Sequence, residues 1–122
     1  MSKILIVDDD KETTNLLERI VSMKGHQPTS VNSSLLAVEV AHTVLPDVVL
    51  MDILMPEING IQLCKIFKSI PTLKSIPIII VSALNDAGSK RDTLNAGASE
   101  FVSKPVNPDT LAETIKNLTS AA

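Results

Sequence analysis

The chain has 122 residues, 44% of them apolar and 20% charged, which fits one folded domain and argues against disorder. A formal charge of −3 with no Trp or Tyr argues against non-specific nucleic-acid binding and against an aromatic nucleotide-stacking platform. The single Cys64 excludes an intramolecular disulfide framework and suits a reducing compartment. No apolar run approaches the roughly 18 residues of a membrane span. Met1-Ser2-Lys3 leads into only four apolar residues before Asp8, so no secretory signal is read and a cytoplasmic location is expected. Charge is uneven: residues 1–61 hold nine acids and four bases, and residues 62–122 hold five acids and seven bases.

Ile4-Leu5-Ile6-Val7 stops at three aspartates, and its continuous apolarity predicts a strand covered on both faces. Asp10 or a neighbour caps a helix whose Leu16, Leu17, Ile20 and Val21 follow helical spacing, with Gly25 as its stop. Gln27 to Val31 is short and polar, which fits an edge strand. Asn32 or Ser33 opens a second helical pattern, Leu36, Val40 and Val44, that ends before Pro46. Asp47 to Asp52 reads as a buried strand, and Met55 to Gly60 as a loop with Asn59-Gly60 as its turn signal. Ile66, Phe67 and Ile70 continue a third helix, and Ile76 to Val81 forms a fourth strand with Pro77 at its start. Asn85 or Asp86 caps a fourth helix ending near Ala96-Gly97. Glu100 to Ser103 is a fifth strand, and Asn107-Pro108 opens a last helix striped by Leu111, Ile115 and Leu118. Five β-α units without repeat or linker predict one doubly wound α/β domain over residues 1–122, a parallel sheet with helices on both faces.

In such sheets ligands bind beyond the carboxyl ends of the strands. The residues there are Asp8, Asp9 and Asp10, then Asp52, Ser82 and Lys104. Taken alone, the three consecutive aspartates read equally well as a solvated capping cluster. Asp52 is harder to dismiss, because a carboxylate facing other carboxylates across a sheet is costly without compensation. A hard cation such as Mg²⁺ together with a lysine ammonium would supply that compensation.

The stretches Ile4–Asp10, Asp47–Pro56, Asn59-Gly60, Val81-Ser82-Ala83 and Gly97–Pro105, in this order and at this spacing, resemble the receiver domain of bacterial two-component response regulators. The resemblance covers essentially the whole chain and implies the flavodoxin-like strand order 2-1-3-4-5. It implies that Asp52 accepts a phosphoryl group from the phosphohistidine of a histidine kinase or phosphotransfer protein. Asp8, Asp9, Asp52 and the main-chain carbonyl of Leu54 would then hold Mg²⁺ or Mn²⁺, Asp8 through water. Ser82 and Lys104 would each meet a phosphoryl oxygen, and Lys104-Pro105 would be a cis peptide. Ser82 and Phe101 would form a switch that reshapes the face of helix 4, strand 5 and helix 5 for a downstream output domain or protein. No direct nucleic-acid or membrane contact is expected of this domain, and a phosphorylation-dependent homodimer stays open.

Two positions depart from members that lose phosphate quickly: Leu54 and Leu84 stand two residues beyond Asp52 and Ser82, where an amide or acid would orient the hydrolytic water. Slow self-dephosphorylation is therefore expected. The rivals are a haloacid-dehalogenase-like phosphatase with Asp8 as nucleophile, a flavodoxin-like FMN module, and a degenerate receiver acting as a scaffold. Glu12 does not suit the first, and three aspartates after the first strand do not suit the second. His26 and His42 read as surface residues, Cys64 and Met51 as packing, and Met55-Pro56 as a loop element. Lys65, Lys68 and Lys74 read as solvated surface, while Lys11, Glu12, Glu18 and Arg19 offer a charged helix to a kinase. The last residues, Thr119 to Ala122, leave no output domain in this chain, which fits a stand-alone receiver or an N-terminal one equally.

Overall fold

The computed structural model describes residues 2–119; Met1 and residues 120–122, on which the reading of the termini partly rests, lie outside them. Five parallel strands, β1 (Lys3–Val7), β2 (Gln27–Val31), β3 (Val48–Met51), β4 (Ile78–Ser82) and β5 (Glu100–Ser103), form one sheet in the order β2-β1-β3-β4-β5. The helices α1 (Lys11–Met23), α2 (Ala37–Val44), α3 (Gly60–Ser69), α4 (Ala87–Asn95) and α5 (Pro108–Thr119) follow the strands in turn, and a single 3₁₀ turn, Ser34–Leu36, leads into α2.

Strand periodicity divides the core in two. Side chains alternate across a sheet, so Ile4, Ile6, Val48, Leu50, Ile79 and Val81 pack with Leu17, Ile20, Leu111 and Ile115 of α1 and α5. Leu5, Val7, Val49, Met51, Ile78 and Ile80 pack on the other face with Ala37, Ala41, Leu63 and Phe67 of α2 and α3. Both faces are covered, which is why these strands read as unbroken apolar runs. The edge strand β2 is the most polar, and Glu18 of α1 accepts a hydrogen bond from its Ser30.

Several boundaries differ from the sequence reading, each for a packing reason. Asp10 caps α1, but the helix buries Thr14, Leu17, Ile20 and Val21, leaving Leu16 exposed. In α2 the stripe of Leu36, Val40 and Val44 is displaced by one residue: Ala37 and Ala41 face the sheet, because small side chains let a short helix sit close, and Leu36 is exposed. Asn59-Gly60 starts a helix instead of closing a turn. The Asn59 side chain accepts the Gln62 N–H, and Gln62 reaches back to the Asn59 N–H, a reciprocal cap. That helix buries Leu63, Cys64 and Phe67, while Ile66 is partly exposed. Strand β4 begins two residues later than read, at Ile78, leaving the Pro77 carbonyl to accept Val49 N–H. Lys68 is half-buried, its ammonium donating to the carbonyls of Lys74 and Ile76. His26 is half-buried as well, with Ser2 N–H donating to its Nδ1.

Candidate functional site

Register brings the site together. Val7 stands opposite Met51, so Asp8 and Asp52 leave adjacent strands at the same level. These are the strands between which the strand order reverses, where open α/β sheets place ligands. Ser82 ends β4 opposite Ser103, and Lys104 follows immediately, its N–H donating to the Ser82 carbonyl. The peptide bond between Lys104 and Pro105 is cis.

The Lys104 ammonium lies 3.1 Å from Asp8 Oδ2 and 3.2 Å from Asp52 Oδ2, joining the ends of β1 and β3 through one cation. Asp8 and Asp52 are buried, at 2% and 8% exposure, whereas Asp9 faces solvent. One carboxylate oxygen from each of Asp8, Asp9 and Asp52 falls within 4.8 Å of the others. Three carboxylates against one ammonium leave this cluster short of positive charge. An all-oxygen donor set with that deficit fits a hard divalent ion such as Mg²⁺ or Mn²⁺.

The electrostatics carry the same imbalance. Burial, and then the neighbouring Asp52, push the Asp8 carboxyl above the ordinary carboxylate range, against the pull of the Asp10 N–H and of Lys104. Burial alone would depress the Lys104 ammonium, but Asp52 and Asp8 together more than offset it and hold the group above its usual value. Asp52 Oδ1 accepts its neighbour's N–H, from Ile53, at 2.7 Å. Fixed through both oxygens, the Asp52 carboxylate presents one orientation to an incoming group.

Ser82 is fully buried, and its hydroxyl accepts the Leu84 N–H at 3.1 Å. Leu54 lies in the loop between β3 and α3 with an exposed side chain, and Leu84 is also exposed in the loop after β4. Phe101 of β5 is partly buried against the α2–α3 side of the core, and Lys90 of α4 stands 5.6 Å from the centre of its ring. His42 is exposed and pairs with Thr72; Cys64 is fully buried and Met51 nearly so. Asp10 serves as the α1 cap and does not join the carboxylate cluster.

Sequence reading missed three polar residues around the cluster: Thr14, Asn32 and Ser34. Asn32 donates to the main-chain carbonyl of Asp8 at 2.9 Å and to the Thr14 hydroxyl at 3.1 Å. Ser34 donates to the Pro56 carbonyl at 2.8 Å and accepts the Ile58 N–H at 3.2 Å. Nothing in their spacing marks them, because a polar residue in a connection (Asn32, Ser34) or in the first turn of a helix (Thr14) is the ordinary case.

A family model described as "Response regulator receiver domain" matches residues 4–116. The chain is 31% identical over 118 residues to Response regulator PleD of Caulobacter vibrioides, covering 97% of this chain but 26% of that protein, about a quarter of its length. It is 31% identical over 114 residues to the polar-differentiation response regulator DivK of Brucella abortus, covering 93% of each. Among solved structures, it resembles the signal receiver domain of a signal transduction histidine kinase from Syntrophus aciditrophicus. That likeness has a TM-score of 0.89 and 34% identity, over 98% of this chain and 91% of that one.

Proposed function

Because this chain belongs to the response regulator receiver domain family, we propose that it works as a phosphoacceptor in two-component signalling, with Asp52 as the residue phosphorylated. The observation that carries this reading is the Asp52 carboxylate, held by Lys104 beside the oxygen cluster of Asp8 and Asp9 at the carboxyl edge of the sheet. An Asp52 oxygen attacks phosphorus of a phosphohistidine, the P–N bond breaks, and the imidazole of the kinase or phosphotransfer protein leaves. Lys104 then exchanges part of its pairing with Asp8 and Asp52 for a phosphoryl oxygen. The Ser82 hydroxyl gives up the Leu84 N–H to donate to another. Such a transfer depends on positioning and on neutralising the equatorial oxygens.

Asp8, Asp9, Asp52 and the Leu54 carbonyl would hold Mg²⁺ or Mn²⁺, which when bound supplies further neutralisation of phosphoryl charge. Movement of Ser82 toward the phosphoryl group opens space for Phe101 to turn inward, reshaping the α4–β5–α5 face for an output domain or protein. In this reading residues 1–122 act as one cytoplasmic receiver unit. Two leucines, Leu54 and Leu84, offer the hydrolytic water no hydrogen bond, so the aspartyl phosphate is long-lived. The double substitution Leu54→Asn with Leu84→Glu is expected to speed its decay about tenfold or more; an unchanged decay rate contradicts that part.

The test is incubation with acetyl phosphate and MgCl₂. A single hydroxylamine-labile phosphoryl adduct is expected, with none formed in EDTA. Failure to form any adduct with several donors would leave the degenerate scaffold as the better reading.

A further inference from the structure

The turn between β2 and α2 bonds the main chain on two sides, at Asp8 through one side chain and in the loop that follows Asp52 through another. Both protons of the Asn32 amide are used, one on the Asp8 carbonyl and one on the Thr14 hydroxyl. Thr14 is itself buried and donates to the Lys11 carbonyl, so its oxygen is left to accept and the chain of bonds runs one way, Asn32 to Thr14 to Lys11. The Asp8 carbonyl belongs to the peptide plane that joins Asp8 to Asp9. Gripping it fixes that plane, and with it the direction in which the exposed Asp9 leaves the backbone. The Asp8 side chain is already held by the Asp10 N–H and by Lys104. Among the described residues no comparable side-chain bond holds Asp9.

Two residues further on, Ser34 is buried and inserts its hydroxyl into the opposite arm. There the Ile58 N–H also donates to the Pro56 carbonyl at 2.8 Å, closing a three-residue turn around Glu57, whose φ is +66°. That turn is rare and strained for a residue with a side chain, and Ser34 bonds both of its ends. The loop so pinned is the one that carries the Leu54 carbonyl away from Asp52.

We infer that Asn32 and Ser34 are positioning residues for the divalent ion: one turn on the sheet's edge brackets the Asp8–Asp9 arm and the Leu54 arm, and so sets the geometry in which their oxygens converge. This rests on the proposed reading of the cluster, with the Leu54 carbonyl, as a metal site. Side chains that orient metal ligands from behind typically govern affinity by about 10- to 100-fold.

The experiment titrates the chain with Mn²⁺ and counts the free ion by electron paramagnetic resonance, alongside thermal unfolding in EDTA. Asn32→Ala and Ser34→Ala are each expected to weaken Mn²⁺ binding about tenfold. Ile115→Val, a core change on α5 remote from the turn, is expected to lower the midpoint of unfolding without moving the Mn²⁺ Kd. Ser34→Ala removes one hydroxyl and tests the bracket independently if Asn32→Ala does not fold. At saturating Mn²⁺ both variants are expected to recover phosphorylation by acetyl phosphate. Wild-type binding with an unchanged Kd in Ser34→Ala and in any folded Asn32→Ala overturns the inference alone. A wild type that takes no Mn²⁺ overturns the metal reading and this inference with it.

Discussion

At the scale of single residues, the burial of Asp8 beside Asp52 works against the fold, a cost that an ion held as proposed would offset. The Asp8 carboxyl is raised above the ordinary range by burial and by Asp52, despite two donors. A carboxyl whose folded-state pKa is raised loses stability as pH climbs from the unfolded value, near 3.8, through the folded one. Without metal, ionising Asp8 as pH climbs is therefore a cost to the fold. Asp8→Asn keeps an acceptor for the Asp10 N–H and leaves Lys104 paired with Asp52. It is expected to raise the denaturation midpoint of the metal-free protein and, on the proposed metal site, to remove the stabilisation expected from Mg²⁺ in the wild type. Urea denaturation in EDTA and in MgCl₂ reads both effects; a less stable Asp8→Asn in EDTA would contradict the account. Asp8, Asp52, Ser82 and Lys104 were legible as candidates because each stands at the carboxyl end of a strand, and a strand's end fixes where a side chain goes. Asn32 and Ser34 were not legible, since their partners, the Thr14 hydroxyl and main-chain atoms of Asp8, Pro56 and Ile58, are brought near only by the fold.

At the scale of elements, the junction of β3 and α3 brings two backbone segments close together beside Asp52. A Cβ on Gly60 would lie 2.0 Å from the Asp52 carbonyl oxygen and 2.9 Å from the Ile53 Cα, and both are backbone atoms that cannot swing aside. Gly60→Ala is expected to push α3 away from the strand that carries Asp52, lowering stability by about 3 kcal/mol and slowing phosphorylation. A denaturation midpoint equal to wild type would count against this close approach. Asn59-Gly60 was visible as a signal of changed backbone, but its meaning as a helix start depended on Gln62 and on Asp52 behind it. Helix α4 differs from the others in burying only Thr93 among its described residues, so its cap at Asp86 carries more of its order. The Ser89 hydroxyl and N–H hold the Asp86 carboxyl below the ordinary range. Its contribution is present above the unfolded value near 3.8 and is lost as pH falls through the lower folded one. Asp86→Asn keeps a capping oxygen but does not titrate, so the acid-side fall in α4 protection against hydrogen exchange is expected to flatten. The same pH profile in wild type and Asp86→Asn would contradict it.

At the scale of the whole molecule, the strand order was legible because five apolar runs alternating with helical patterns leave few parallel topologies, and the spacing of the acidic, hydroxyl and lysine positions matched a known one. Boundaries were less legible where packing overrode pattern: Leu16 and Leu36 are apolar yet exposed, while Thr14 and Ala37 are buried on the faces that meet the sheet. The reversal of strand order between β1 and β3 gathers Asp8, Asp9 and Asp52 at one edge, and Lys104 reaches across from β5. In the proposed function, Ser82 at the end of β4 and Phe101 on β5 carry a covalent change at this edge to the α4–β5–α5 face. For phosphorylation to take that face from mostly inactive to mostly active, it must favour the active arrangement by roughly 5 kcal/mol. The most direct measurement is the intact mass of wild type, Asp52→Asn and Asp8→Asn after incubation with acetyl phosphate and Mg²⁺. One phosphoryl adduct on wild type that is lost in Asp52→Asn is the expected result. An adduct that survives Asp52→Asn and disappears in Asp8→Asn would place the nucleophile on β1 and contradict the account.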